Sequence, residues 1–284
     1  MLLREQVLSL QSHRRREVVI EQPDRGRLRE TFNEDAELYD RARPGYPAAL
    51  FVDLAALSDV GPGCRVLEIG CGTGQATLPL AERGCEIICI ELGHNMAAVA
   101  KRKLAGFPSV QVVISAFEDW PLPTEPFDVV FAATAFHWLD PAVRVVKAAD
   151  ALRVGGTLAT VSTHHVAGGD TEFFAEAQSC YERWDPNTPI GLRLQPATAV
   201  PSDSEELDRS GRFGPTTFRR YEWELSYSTS AYIETLMTYS GHRALAPEAR
   251  NNLLACIAYL SESRHGGHIA KRYMTELRMA RRRR

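Results

Sequence analysis

Apolar residues along this chain follow two rhythms, and the elements can be read from where one gives way to the other. "DRGRLRETFNEDAELYDRARPGYP" places Phe32, Ala36 and Tyr39 at helical spacing, then breaks at Pro44, Gly45 and Pro47. "AALFVDLAAL" predicts a second helix, ended by Gly61 and Gly63. From Arg65 onward, short continuous apolar runs alternate with amphipathic ones. "RVLEI", "EIICIE", "VQVVIS", "FDVVFAA" and "TLATVS" predict strands. "GQATLPLAERG", "HNMAAVAKRKL" and "PAVRVVKAADALRVGG" predict helices, the last opening at Pro141 and closing at Gly155. Strands that are apolar without interruption are covered on both faces, and right-handed crossovers wind them into a parallel sheet.

After Thr163 the rhythm changes. "TEFFAEAQSCYERW", "SAYIETLMTYS" and "PEARNNLLACIAYLSESR" predict helices, while "TTFRRYEWEL" and "HIAKRYMTELRMARR" predict two further strands. The expected fold class is α/β: a doubly wound, mostly parallel, seven-stranded sheet with helical lid insertions. Three regions are expected. Residues 1–24 form a leader, helical or disordered. Residues 25–163 form the ligand-binding domain. Residues 164–284 form a substrate and lid region that carries the last strands.

Composition narrows the class without changing it. The 284 residues are 44% hydrophobic and 24% charged, so a core can form without staples. A net charge of −3 gives no general attraction to nucleic acid or to anionic membranes. The runs Arg14–Arg16 and Arg281–Arg284 read as solvated ends. No segment reaches the apolar length of a membrane span, and "MLLREQVLSLQSHRRR" lacks the apolar run of a signal peptide. The six cysteines include no C-x-x-C pair and no tight cluster with histidine, so no metal is expected. Cys85 and Cys89 read as core thiols, and the compartment consistent with this usage is a reducing cytoplasm.

The strongest chemical signal is "VLEIGCGTGQ". An apolar strand ends at Gly70, and Gly72 and Gly74 let the backbone turn tightly and approach a ligand, with Cys71 between them. Glu91 ends the next strand, where an acid can grip ribose hydroxyls. A nicotinamide dinucleotide requires a third glycine at position 75, which is Gln75. Glu68, two residues before Gly70, repels a diphosphate and suits a ligand that is cationic and has no phosphate. S-adenosylmethionine is such a ligand.

At these residues the chain resembles the class I S-adenosylmethionine-dependent methyltransferases, whose fold is Rossmann-like. "LEIGCGTGQ", "IELGHNMAAVAKRK", "ISAFEDWPLPTEPFDVVFAATAFHWLD" and "ALRVGGTLATVS" are similar to successive motifs of that superfamily. "YDRARPGYP" with "FHWLD" most resembles its small-molecule, trans-aconitate methyltransferase-like group. The resemblance implies a S-adenosylmethionine site over residues 25–163. It implies that Met96 packs on the adenine and that Arg43 lies near the methionine carboxylate. Met96 also fits a core position, and Arg43 a surface one. Tyr39 fits either helix packing or a roof over the methyl donor. Many relatives carry an aspartate where Ala116 aligns, so the backbone at Ala116 and Phe117, with Glu118 nearby, must meet the adenine here.

"ATAFHWLD" is the carboxyl end of the fourth strand, which faces the ligand in such sheets. Thr134 and His137 lie on this lip. His137 has three readings: general base, substrate hydrogen-bond donor, or packed ring, with positioning favoured over proton transfer. His164, Tyr239 and His242 fall where substrate contacts are expected. The expected activity is methyl transfer, by in-line displacement, to the carboxylate, hydroxyl or carbon of a metabolite or natural-product intermediate. The alternatives are a protein or nucleic-acid methyltransferase, and a non-catalytic cofactor-binding protein that assembles as a homo-oligomer through its leader.

Overall fold

The computed structural model describes residues 22–284. The leader expected over 1–24, apart from Gln22–Asp24, lies outside the described residues, as do Arg14–Arg16 and the oligomer contact assigned to the leader. Helices α1 (Gln22–Glu30) and α2 (Ala36–Ala42) flank a single 3-10 turn at Thr31–Glu34. Asp35 caps α2 by accepting the Leu38 N–H at 3.0 Å. The Pro44–Pro47 break then separates α2 from α3 (Ala48–Ser58).

A single sheet organises the rest. Its strands are β1 (Arg65–Ile69), β2 (Glu86–Glu91), β3 (Val110–Ile114), β4 (Phe127–Ala133), β5 (Leu152–Gly169), β6 (Thr217–Ser228) and β7 (His268–Arg281). Their spatial order is β3-β2-β1-β4-β5-β7-β6. β1 to β5 pair in parallel, and β7 inserts antiparallel between β5 and β6. The winding reverses between β1 and β4, the place where open α/β sheets leave a crevice beyond their strand ends.

The helices between these strands are α4 (Thr77–Ala81), α5 (His94–Lys103), α6 (Arg144–Ala151), α7 (Thr171–Trp184), α8 (Glu205–Ser210), α9 (Thr229–Leu236), α10 (Ser240–Arg243) and α11 (Pro247–Arg264). Successive strand residues point to opposite faces. Val66 therefore packs with Leu50, Leu54 and Leu80 on one side, and Leu67 packs with Phe127, Val145 and Ala148 on the other. A third core lies where Phe173, Tyr232 and Ile257 of α7, α9 and α11 meet Ile269 of β7.

Two elements differ from expectation. The helix expected over 141–155 covers only Arg144–Ala151, because Leu152 already pairs with Phe127 and begins β5. Gly155, with φ of +77°, carries the irregularity that follows. β5 then runs to Gly169, straight through the division expected at 163, so the last strands extend one continuous sheet. The helix expected over 74–84 shrinks to the five residues of α4.

The cysteines also divide. Cys64, Cys71, Cys85 and Cys89 are buried thiols, whereas Cys180 of α7 and Cys256 of α11 form a disulfide. That pair departs from the all-thiol chain expected of a reducing compartment. It joins residues 76 apart, a spacing that carries no local signature.

Lys271 of β7 is fully buried, with its ammonium 4.2 Å from the Phe174 ring centre and no hydrogen-bond partner for Nζ among the described residues. Burial pushes its pKa down to about 7. The unfolded chain holds this proton up to about pH 10.4, so between about pH 7 and pH 10.4 the unfolded state binds more protons and stability rises with pH. Lys271→Met should flatten that slope and raise Tm at pH 7 by at least ~2 °C in thermal denaturation. An unchanged slope would place the lysine in water.

Candidate functional site

A cavity of about 570 Å³ opens beyond the carboxyl ends of β1, β2, β4 and β5. Its shape depends on a close crossing. Gly70, with φ of +67°, lies directly beneath Ala135, and a Cβ added at Gly70 would stand 2.6 Å from the Cβ of Ala135. Thr134, just before Ala135, takes φ of +52°, a left-handed conformation that costs a non-glycine residue about 1–2 kcal/mol. Two bonds hold it: its N–H donates to the Val161 carbonyl at 2.8 Å, and its hydroxyl meets the Tyr46 hydroxyl at 2.9 Å. This turn sends the chain into the 3-10 helix Phe136–Trp138, across the mouth of the glycine loop. Trp138 meets the Phe32 ring edge-on at 5.6 Å, while His137 is exposed on the cavity wall.

The glycine loop works through its own N–H groups. The helix expected to start after Gly74 begins only at Thr77 and is too short to supply a useful dipole. Instead Glu91 gathers the loop: Oε2 accepts the Gly72 N–H and Oε1 the Gly93 N–H, each at 2.8 Å. Burial raises the Glu91 pKa, and these N–H groups oppose the rise. Each oxygen can accept a further hydrogen bond, and Glu91 lines the cavity.

Glu68 is 1% exposed and lines a small hollow with Cys71 and Thr73, which shares Tyr39, Gly70, Gly72 and Ala133 with the main cavity. Burial pushes its pKa up to about 7, so at neutral pH it is not a full negative charge aimed at a ligand. Gly74 packs against Leu104, away from the cavity.

Met96 is 3% exposed, packs with Ala36 and Val99, and also lines the cavity, so its two readings are not exclusive. Ala116 and Phe117 line the cavity beside it. Glu118 there accepts from Arg29 at 3.1 Å and from the Asp140 N–H at 3.2 Å. Arg43 also lines the cavity, its guanidinium 5.5 Å from the Tyr39 ring centre and 4.5 Å from that of Tyr239.

Of the three residues expected to touch substrate, only His164 lines the cavity. Tyr239 stands behind Arg43 in the helical core. His242 is fully buried, bonded through Nε2 to the Tyr181 hydroxyl at 3.1 Å, and burial lowers its pKa to about 3. It is a neutral core ring that lines no part of the cavity.

Sequence reasoning missed Asn33. The position before α5 is Gly93, which has no side chain to cap the helix. Asn33 supplies the cap from a distance: its Oδ1 accepts the Asn95 N–H at 2.7 Å, and its carbonyl accepts Asn95 Nδ2 at 2.9 Å. The open helix start at Gly93 was the available signal. Also missed were Arg144, Glu206, Glu276 and Arg278 at the far end of the cavity.

Known proteins with matching sequence or fold include several methyltransferases. The methyltransferase domain family matches residues 67–160. An uncharacterized methyltransferase of Geobacillus kaustophilus is 35% identical over 156 residues, covering 51% of this chain and 70% of that protein. One from Mycobacterium tuberculosis is 33% identical over 133 residues, 46% of this chain and 51% of that protein, so this chain spans about half the length of that relative. Among solved structures, the YcgJ protein of Bacillus subtilis shares the fold with a TM-score of 0.51 at 17% identity, over 84% of this chain and 100% of that one.

The Gly70 crossing can be tested directly. Gly70→Ala should lower stability by ~1–3 kcal/mol in denaturant unfolding, through overpacking against Ala135. Adding Ala135→Gly should restore part of the loss. A harmless Gly70→Ala would show that the lip is free to lift.

Proposed function

This chain belongs to the methyltransferase family, and we propose that it transfers a methyl group from S-adenosylmethionine to a small-molecule acceptor. Glu91 carries the reading. It is a carboxylate at the end of β2 that lines the cavity, is already oriented by two loop N–H groups, and still has lone pairs for a ribose diol. The donor supplies a methyl group activated on a sulfonium. The residues of the chain bind it, orient it and keep water out. Met96 and Phe117, with the backbone at Ala116, form the adenine end. Arg43, flanked by Tyr39 and Tyr239, faces the methionine carboxylate. Phe136 and Trp138 of the lip close over the methyl group, and His137 orients the acceptor.

A small acceptor is favoured by the walls at the far end of the cavity. Pro201, Asp203 and Glu206 line it there, and Glu206 is tied to Arg144 and Arg278 at 2.6 and 2.8 Å. A macromolecular acceptor would have to part these bonds. None of the described helices is long and apolar enough to cross a membrane.

Titration calorimetry on the full chain should show S-adenosylmethionine binding that Glu91→Ala weakens by roughly 10- to 100-fold, the worth of a hydrogen bond to a charged group. Equal affinity in the variant would remove the donor site from this cavity. His137→Ala should raise the acceptor KM while leaving donor affinity unchanged. A loss confined to kcat, with a lost acid-side limb in the pH profile, would make the histidine a base instead.

A further inference from the structure

The far end of the cavity has a chemistry of its own. β5 and β7 lie side by side there, in a register that sets Thr160 opposite Arg278, Ser162 opposite Glu276 and His164 opposite Met274. Alternate residues share one face, and Thr160, Ser162, His164, Glu276 and Arg278 all line the cavity. This floor adjoins the lip, because Ala133 pairs with Val161, one residue before Ser162.

The charges on this floor balance as a group: Arg144, Arg278 and Arg220 stand against Glu206, Glu276 and the Asp203 that lines the same wall. Glu206 takes both Arg144 and Arg278. Arg278 also donates to the Thr160 hydroxyl at 3.0 Å and to the Asp203 carbonyl at 3.1 Å. Glu276, only 6% exposed, holds Arg220 at 2.6 Å and the Ser202 hydroxyl at 3.1 Å, both on Oε2. None of the described residues bonds its Oε1. Ser162 meets His164 Nε2 at 2.9 Å. Burial, with the Arg220 charge, lowers the His164 pKa to about 4, so the ring is neutral at neutral pH.

Such a floor discriminates among acceptors. A carboxylate finds every nearby guanidinium engaged and, at the open oxygen of Glu276, meets lone pairs for which it has no donor. An ammonium group brings a charge that nothing remaining compensates, since Arg220 already neutralises Glu276. A neutral hydroxyl brings the missing donor and no charge.

We propose that the methyl acceptor is an alcohol or phenol whose hydroxyl is seated against Glu276 Oε1 and Ser162. The reading rests on the methyltransferase function proposed above and adds the acceptor class. In the transfer, the acceptor oxygen forms the new bond to the methyl carbon as the carbon–sulfur bond breaks. The sulfonium becomes a neutral thioether, and the hydroxyl proton passes to Glu276 and then to water. Glu276 is thus a catalytic residue for the step, and Ser162 and His164 position the acceptor.

The test uses the full chain, donor labelled in the methyl group, and a panel in which each alcohol or phenol is matched by a carboxylic acid and a primary amine on the same carbon frame. Label should enter alkali-stable, neutral methyl ethers. Glu276→Gln should lower kcat/KM for those acceptors at least tenfold while leaving the donor Kd unchanged. Because that variant strands Arg220, the double variant Arg220→Gln, Glu276→Gln is measured beside it; it should remain inactive although the stranded charge is gone. Recovery in the double variant would reduce Glu276 to a structural partner and overturn the proposal. So would label that mild alkali releases as methanol, label retained on a cation exchanger as a methylated amine, or donor binding with no transfer to any hydroxyl. Failure to bind the donor at all would instead overturn the methyltransferase reading itself.

Discussion

The site depends on one crossing, where the lip after β4 passes over Gly70 with no room for a side chain between them. Thr134 must turn left-handed to make that crossing, and the bonds from Tyr46 and Val161 offset the strain. Once the lip is placed, three things follow. The glycine loop is pinned from above, Phe136–Trp138 becomes a wall of the cavity, and the chain continues toward α6 so that Arg144 can reach Glu206. Tyr46 lies in "RPGYP", so the N-terminal segment supports the lip from the far side.

Glu91 and Asn33 do related work at the donor end. Each supplies oxygen to backbone N–H groups that their own elements leave open: Gly72 and Gly93 for Glu91, Asn95 for Asn33. The loop after β1, the loop after β2 and the segment before α2 are therefore held together before any ligand arrives. Such pre-ordering lowers the entropy that binding must overcome. It also couples the affinity of the cavity to residues 22–43, a stretch with no strand of the sheet in it.

Much of the fold was legible because it is local. "RVLEI", "EIICIE" and "FDVVFAA" are strands with the expected bounds, since continuous apolar runs fit only a sheet covered on both faces. α7 and α11 also match the quoted helices residue for residue. The glycine loop and Glu91 were legible from their spacing. What was not legible depends on partners remote in the chain. The long β5 is drawn out by pairing with β7, more than 100 residues on. Glu276 reads as one acid in an alternating strand until the register places it opposite Ser162. Glu68 reads as a charge until its burial is known. Tyr239 and His242 read as polar lid residues until the helical core closes around them.

The bridge between α7 and α11 has a topological consequence. It closes residues 180–256 into a covalent ring, and that ring contains the cavity wall at Pro201–Glu206, all of β6, and the Tyr239 that backs Arg43. A loop of this length loses roughly 4 kcal/mol of unfolded-chain entropy when tied. The part of the acceptor side drawn from residues 180–256 is thus one tethered unit. It cannot fray from either end, so residues grafted into it to change the acceptor would inherit a frame that holds its shape.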